Sequence, residues 1–132
     1  MLIATSSTQP AKITAEQRIA AAVRFATDAA KLAANTRCTQ VRALDLSAVS
    51  SLADCFVIAT GTSGRQMRSV CDDLEELGKT QGFELRHASG TDGESWMALD
   101  FSDVIIHLFS PDARAFYDLD GLWADAREIE VK

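Results

Sequence analysis

The sequence predicts an α/β (α+β) fold: a mixed five-stranded sheet with helices packed on it. Three observations predict it. A capped, alanine-striped helix opens the ordered part of the chain. A continuously apolar strand then runs straight into a second helix N-terminus, as in a parallel crossover. Three further strand patterns follow, and the last two stand too close together for anything but antiparallel neighbours.

The first helix begins at Thr14-Ala15-Glu16-Gln17, a capping box in which Thr14 accepts from the third amide and Gln17 reaches back. It runs to about Asn35. Ile19, Val23, Ala26, Ala30 and Ala33 recur at four and three, so they form one stripe. Small residues there permit close approach to a sheet. Residues 41–46 read as a strand near an edge, because charges interrupt it. Residues 55–60 are apolar throughout, as expected of a strand covered on both faces. Gly61 ends it, and Thr62 or Ser63 caps the next helix, with Ser63 and Gln66 spaced as a second capping box. Met67, Val70, Cys71, Leu74 and Leu77 make that helix's buried face, and Gly78 and Gly82 bracket its end.

Residues 83–88 are the third strand, and 89–94, with two glycines, a hairpin loop. Residues 95–100 and 104–109 are strands joined by the tight turn Asp100-Phe101-Ser102-Asp103. Pro111 stands at the first position of a helix capped by Ser110, which continues through Tyr117. The sequence then divides into an N-terminal tail (1–12), one domain (13–126) and a polar C-terminal tail (127–132).

The chain has 132 residues, 47% of them hydrophobic and 24% charged. That is one domain, long enough to bury a real core. Its formal net charge is -6, a balance that repels phosphate backbones and suits basic proteins. The three cysteines, Cys38, Cys55 and Cys71, are odd in number and have no metal-ligand spacing. Buried free thiols fit a reducing, cytoplasmic setting. No stretch approaches the length needed to span a membrane, and the first ten residues lack the features of a signal peptide.

Catalysis finds little support. Gly61-Thr62-Ser63 at a strand-to-helix junction could attract an anion, with Arg65 and Arg68 adding charge. Nucleotidyl transfer would also need clustered carboxylates to hold magnesium. The nearest pair, Asp100 and Asp103, is three apart, a spacing that does not put both side chains on one side of a strand. His107 lies mid-strand and reads as buried and hydrogen-bonded. His87 falls near a strand end. Asp54 reads as a turn cap or an arginine partner. No catalytic residue, metal or cofactor is assigned. A nucleotidyltransferase-like enzyme or nucleotide-binding domain remains the alternative.

A binding module needs aromatic anchors within a polar rim. Trp96, Phe101, Phe116, Tyr117 and Trp123 are the candidates. Phe116 and Leu119, three apart, read as core contacts of the terminal helix. Trp96, beside a glycine-rich loop, reads as accessible.

Taken in order, the motifs resemble one family. Ala53-Asp54-Cys55-Phe56-Val57-Ile58 is similar to its Ala-Asp-Tyr-Phe-Val-Ile segment, with Cys55 where tyrosine is usual. Thr60 to Gln66 matches Thr-Gly-x-Ser-x-Arg-Gln. Trp96-Met97-Ala98-Leu99-Asp100 resembles Trp-x-Leu-x-Asp, with one residue more. Ser102-Asp103 stands for a Gly-Asp turn. Arg114 to Trp123 matches Arg-x-Phe-Tyr-x-Leu-Glu-x-Leu-Trp, with Asp120 for glutamate. Together they look like the ribosomal silencing factor family (RsfS, also called Iojap), over about 14–123.

The resemblance implies a nucleotidyltransferase-like topology without chemistry. It implies binding to the large ribosomal subunit through its ribosomal protein fourteen, so that joining with the small subunit is blocked and translation repressed. Organellar relatives imply a role in large-subunit biogenesis. Neither sequence-specific nucleic-acid recognition nor a membrane is implied, and a homodimer is permitted. The contact surface carried over is Trp96, Met97, Leu99, Asp100, His107, Arg114, Tyr117 and Trp123, with Asp100 and Asp103 facing basic groups of the partner.

Overall fold

The structure is a computed structural model and describes residues 13–131. The expected N-terminal tail lies outside these residues. Helix α1 (Ala15–Asn35) starts where its capping box sets it. Thr14 Oγ1 accepts the Gln17 amide at 3.0 Å, and Gln17 Oε1 accepts the Thr14 amide at 2.9 Å. There follow β1 (Thr39–Asp45), β2 (Cys55–Thr60), α2 (Gly64–Thr80), β3 (His87–Ser89), β4 (Trp96–Asp100), β5 (Val104–Phe109), α3 (Pro111–Tyr117), α4 (Leu119–Leu122) and β6 (Arg127–Ile129).

The sheet is mixed, as expected, but has six strands rather than five, in the order β3-β4-β5-β2-β1-β6. The extra strand comes from the stretch read as a polar tail. It pairs antiparallel with β1, and Arg127 Nη2 donates to Asp45 Oδ2 at 2.6 Å. Strand β1 is therefore not an edge; β3 and β6 are. The crossover out of β2 through α2 does return a parallel neighbour. That neighbour is β5, reached only after the β3–β4 hairpin has been laid beside it.

The third strand is shorter than its sequence suggests. Phe83 turns away to stack on Phe25, ring centroids 4.7 Å apart, so the ladder begins at His87.

Strand alternation divides the core in two. Cys55, Val57, Ala59, Met97, Leu99, Val104, Ile106 and Leu108 face α1 and α2. There they meet Ala22, Phe25, Ala26, Ala29, Ala30, Ala33, Met67, Val70 and Leu74. Leu44, Phe56, Ile58 and Phe109 face the other way, toward α3, α4 and the chain through Trp123. This second cover is short, and the outer strands β3 and β4 extend beyond it. All three cysteines are buried and free, and burial pushes the Cys55 and Cys71 thiols up to about 12.

Candidate interaction face

On the second face the side chains are aromatic and only partly covered. Trp96 starts β4 opposite Phe109 of β5. Its ring packs on Phe109 (centroids 4.9 Å apart) and on Tyr117 of α3 (4.8 Å). Its Nε1–H donates to His107 Nδ1 at 3.1 Å. Gly90, at φ 76°, closes the preceding loop where a Cβ would run into the Trp96 carbonyl. Farther across, Trp123 meets Phe56 edge-on at 5.5 Å. Tyr117 is 49% exposed, Leu122 73% and Phe116 80%, with Phe116 edge-on to Tyr117 at 5.0 Å. Phe116 and Tyr117 thus leave an apolar ledge open to solvent beside half-buried Trp96, with Trp123 half-buried and Leu122 exposed on α4.

The ledge rests on an ion pair between a buried arginine and a partly buried aspartate. Arg114 is 7% exposed. Its Nε and Nη2 fork onto the two oxygens of Asp120 at 2.8 and 2.9 Å, and Nη1 donates to Thr60 Oγ1 at 3.0 Å. Arg42 Nη1 joins Asp120 Oδ1 at 2.7 Å and reaches Glu128 as well. The Arg114 fork, aided by Arg42 and opposed by burial, pulls the Asp120 carboxyl down to about 2. A two-bond fork fixes direction as well as distance, so α4 is held against α3 and β2.

The eight expected contact residues separate into two groups. Trp96, Tyr117 and Trp123 come together on the second face, and Asp100 lies farther along the same side of β4. Met97 and Leu99 do not join them. They are 0% and 1% exposed and point to the α1/α2 core, because neighbours on a strand alternate. His107 and Arg114 are on the correct side but buried; they lie beneath the ledge rather than on it. Among the other aromatic candidates, Phe101 is core, packed edge-on to Phe25 at 5.0 Å. Phe116, read as core with Leu119, is the most exposed ring of the group. Leu119 alone is buried. Asp118 adopts left-handed backbone (φ 46°, ψ 50°) and breaks the helix between them, so their three-residue spacing no longer means a shared face. Leu122 belongs to the matched motif but not to the expected contact set, and its place at the end of one short turn gives no periodicity that would mark it as exposed.

The residues considered for catalysis have other employment. Asp100 Oδ1 accepts the Ser102 amide at 2.7 Å and shapes the β4–β5 turn. Asp54 takes Arg18 at 2.9 Å. Burial, then the charge of Asp54, raises the Asp103 carboxyl above its ordinary value. Ser63 Oγ accepts the Gln66 amide at 3.0 Å, but Gln66 Oε1 turns to the Thr62 amide, so the second capping box is not reciprocal. Among the described residues no group of three or more His, Cys, Asp or Glu side chains could hold a metal ion. No helix among them is long and apolar enough to cross a membrane.

A family model described as "Ribosomal silencing factor during starvation" matches residues 2–132. The chain belongs to the ribosomal silencing factor family. It is 36% identical to ribosomal silencing factor RsfS of Halalkalibacterium halodurans over 70% of this chain and 80% of that one. It is 33% identical to the chloroplastic protein Iojap of Zea mays over 81% of this chain but only 46% of that longer one. The fold agrees as well. A crystal structure of a Chromobacterium violaceum protein superposes with a TM-score of 0.69 at 27% identity, covering 82% of this chain and 85% of that chain. One from Bacillus halodurans gives 0.66 at 29%, covering 83% and 96%. RsfS membership thus agrees with the motif order in the sequence.

Proposed function

We propose that this RsfS-family protein represses translation by occupying the large ribosomal subunit at its ribosomal protein fourteen, so that the small subunit cannot dock. The observation that carries this is the family match over residues 2–132. The ledge supports this face as the place of contact: Phe116, Tyr117 and Leu122 offer exposed apolar side chains, with half-buried Trp96 and Trp123 on the same face. The net charge of -6 suits a basic protein partner better than bare RNA. No bond need be made or broken. Occupancy follows mass action, and silencing deepens with concentration.

Purified subunits, mixed with and without the protein, test this on sucrose gradients. Whole particles should diminish as the protein is added, and the protein should sediment with the large subunit. Trp96→Ala should keep the fold by circular dichroism and lose most of that co-sedimentation. Full recombination of subunits in the presence of excess protein would sink the proposal. Unchanged co-sedimentation of the variant would move the contact off Trp96.

A further inference from the structure

His107 is 7% exposed and cannot itself touch a macromolecule. Its surroundings are nevertheless unusual for a core residue. Nδ1 accepts the Trp96 indole N–H at 3.1 Å. The ring proton therefore sits on Nε2, which is buried and has no hydrogen-bond partner among the described residues. Around it stand Phe56, edge-on with centroids 4.6 Å apart, and Phe109 at 6.2 Å. A phenyl ring would suit such a place better. The imidazole carries the desolvation cost of an unmet N–H, and stability alone gives no reason for it.

Its acceptor atom gives one. The other contacts of Trp96, with Phe109 and Tyr117, are tilted ring packings at 32° and 46°. They fill space but fix direction only loosely. The bond to Nδ1 is the directional one, and it runs from the half-buried indole into the rigid middle of β5, the parallel partner of β2.

We propose that His107 is a positioning residue for the docking face: through Nδ1 it holds the Trp96 indole in the one orientation the partner meets. This rests on the reading that Trp96 belongs to that face. His107 makes no contact with the partner. It lowers the cost of binding by ordering the anchor beforehand.

Three variants test it beside Trp96→Ala, each measured by denaturant unfolding and by co-sedimentation with the large subunit. His107→Phe removes the acceptor and the orphan donor together. It should be as stable as wild type or more so, yet bind about fivefold more weakly, the worth of one net hydrogen bond. His107→Asn puts an amide oxygen near the place of Nδ1 but fills less space. It should be less stable and bind within about twofold of wild type. Trp96→Phe keeps the ring and removes the donor, and should weaken binding like His107→Phe; it serves if that variant does not fold. Indole N–H spectra should show the Trp96 resonance shifted and broadened in His107→Phe and restored in His107→Asn. A merely structural histidine would make binding follow stability, and that pattern overturns the proposal. If Trp96→Ala abolishes binding while His107→Phe and Trp96→Phe bind like wild type, positioning alone is wrong. If Trp96→Ala also binds like wild type, the docking face itself is wrong and the inference falls with it.

Discussion

One sheet presents two different faces. Toward α1 and α2 it is sealed: Ala22, Ala26, Ala29, Ala30 and Ala33 of α1 lie at 0% exposure against β-branched and aliphatic strand residues, and among the described residues the aromatic clustering on this side is Phe25 between Phe83 and Phe101. Toward α3 and α4 it is aromatic, carries a buried histidine and a buried arginine, and leaves Trp96, Tyr117 and Phe116 wholly or partly in water. The first face has what close packing rewards, small and aliphatic residues with no buried charged group among the described residues of its core. The second keeps groups whose burial costs stability, with anchors of the kind that interfaces use. The comparison teaches a division of labour: the first face stabilises the domain, and the second orders a surface.

The largest effect should follow from a cut in the sealed face. Phe25→Ala removes a fully buried ring and its two aromatic partners. It should cost about 3–5 kcal/mol, read as the shift in a urea unfolding curve. Binding to the large subunit by the molecules that remain folded should be unchanged. A loss below about 1 kcal/mol would mean that this face collapses around the gap and does not dominate stability.

A smaller effect separates the faces by pH. Burial holds the His107 pKa near 4, against an ordinary value of 6.5. Between those values the unfolded chain binds more protons than the folded one, so stability rises with pH there and is lost as pH falls from 6.5 toward 4. The full swing is on the order of 3 kcal/mol. Asp120 acts lower down: its carboxyl, held near 2 rather than 3.8, contributes stability that disappears only as pH drops through that more acid range. His107→Phe should therefore flatten the upper limb of a stability-against-pH curve and leave the lower limb alone. An unchanged upper limb would assign that slope to other groups.

How much of this was legible follows from the range of each signal. Caps are local, and Thr14, Ser63 and Ser110 announced their helices within a few residues. The apolar run of β2 needs no partner to be recognised. Strand β6 does: two of its three residues are charged and only Ile129 is apolar, and what makes them a strand is a register with β1 and an ion pair to Asp45, eighty-two positions away. The eight-residue contact set, carried over from the family resemblance, joined Met97 and Leu99 to Trp96. Alternation along β4 already placed them on opposite faces. Phe116, paired with the buried Leu119, departs from its reading for the reverse reason. Their spacing was read as helical, and the left-handed turn at Asp118 that breaks the phase has no glycine to mark it.

The smallest effect on stability sharpens the comparison most. Phe116 is 80% exposed and touches chiefly the edge of Tyr117. Surface substitutions of this kind stay within about 0.5 kcal/mol, so Phe116→Ala should leave the unfolding curve where it was. Its co-sedimentation with the large subunit should nonetheless fall by about tenfold or more, since an exposed ring that a partner covers is worth far more in the complex than in the free protein. Phe25→Ala and Phe116→Ala form a crossed pair, one moving stability without binding and the other binding without stability. If Phe116→Ala binds as wild type does, the ledge is narrower than the exposed surface suggests and contact is confined to the Trp96 side of the face. If it destabilises the fold, the second face carries part of the work assigned to the first, and the two are not separable.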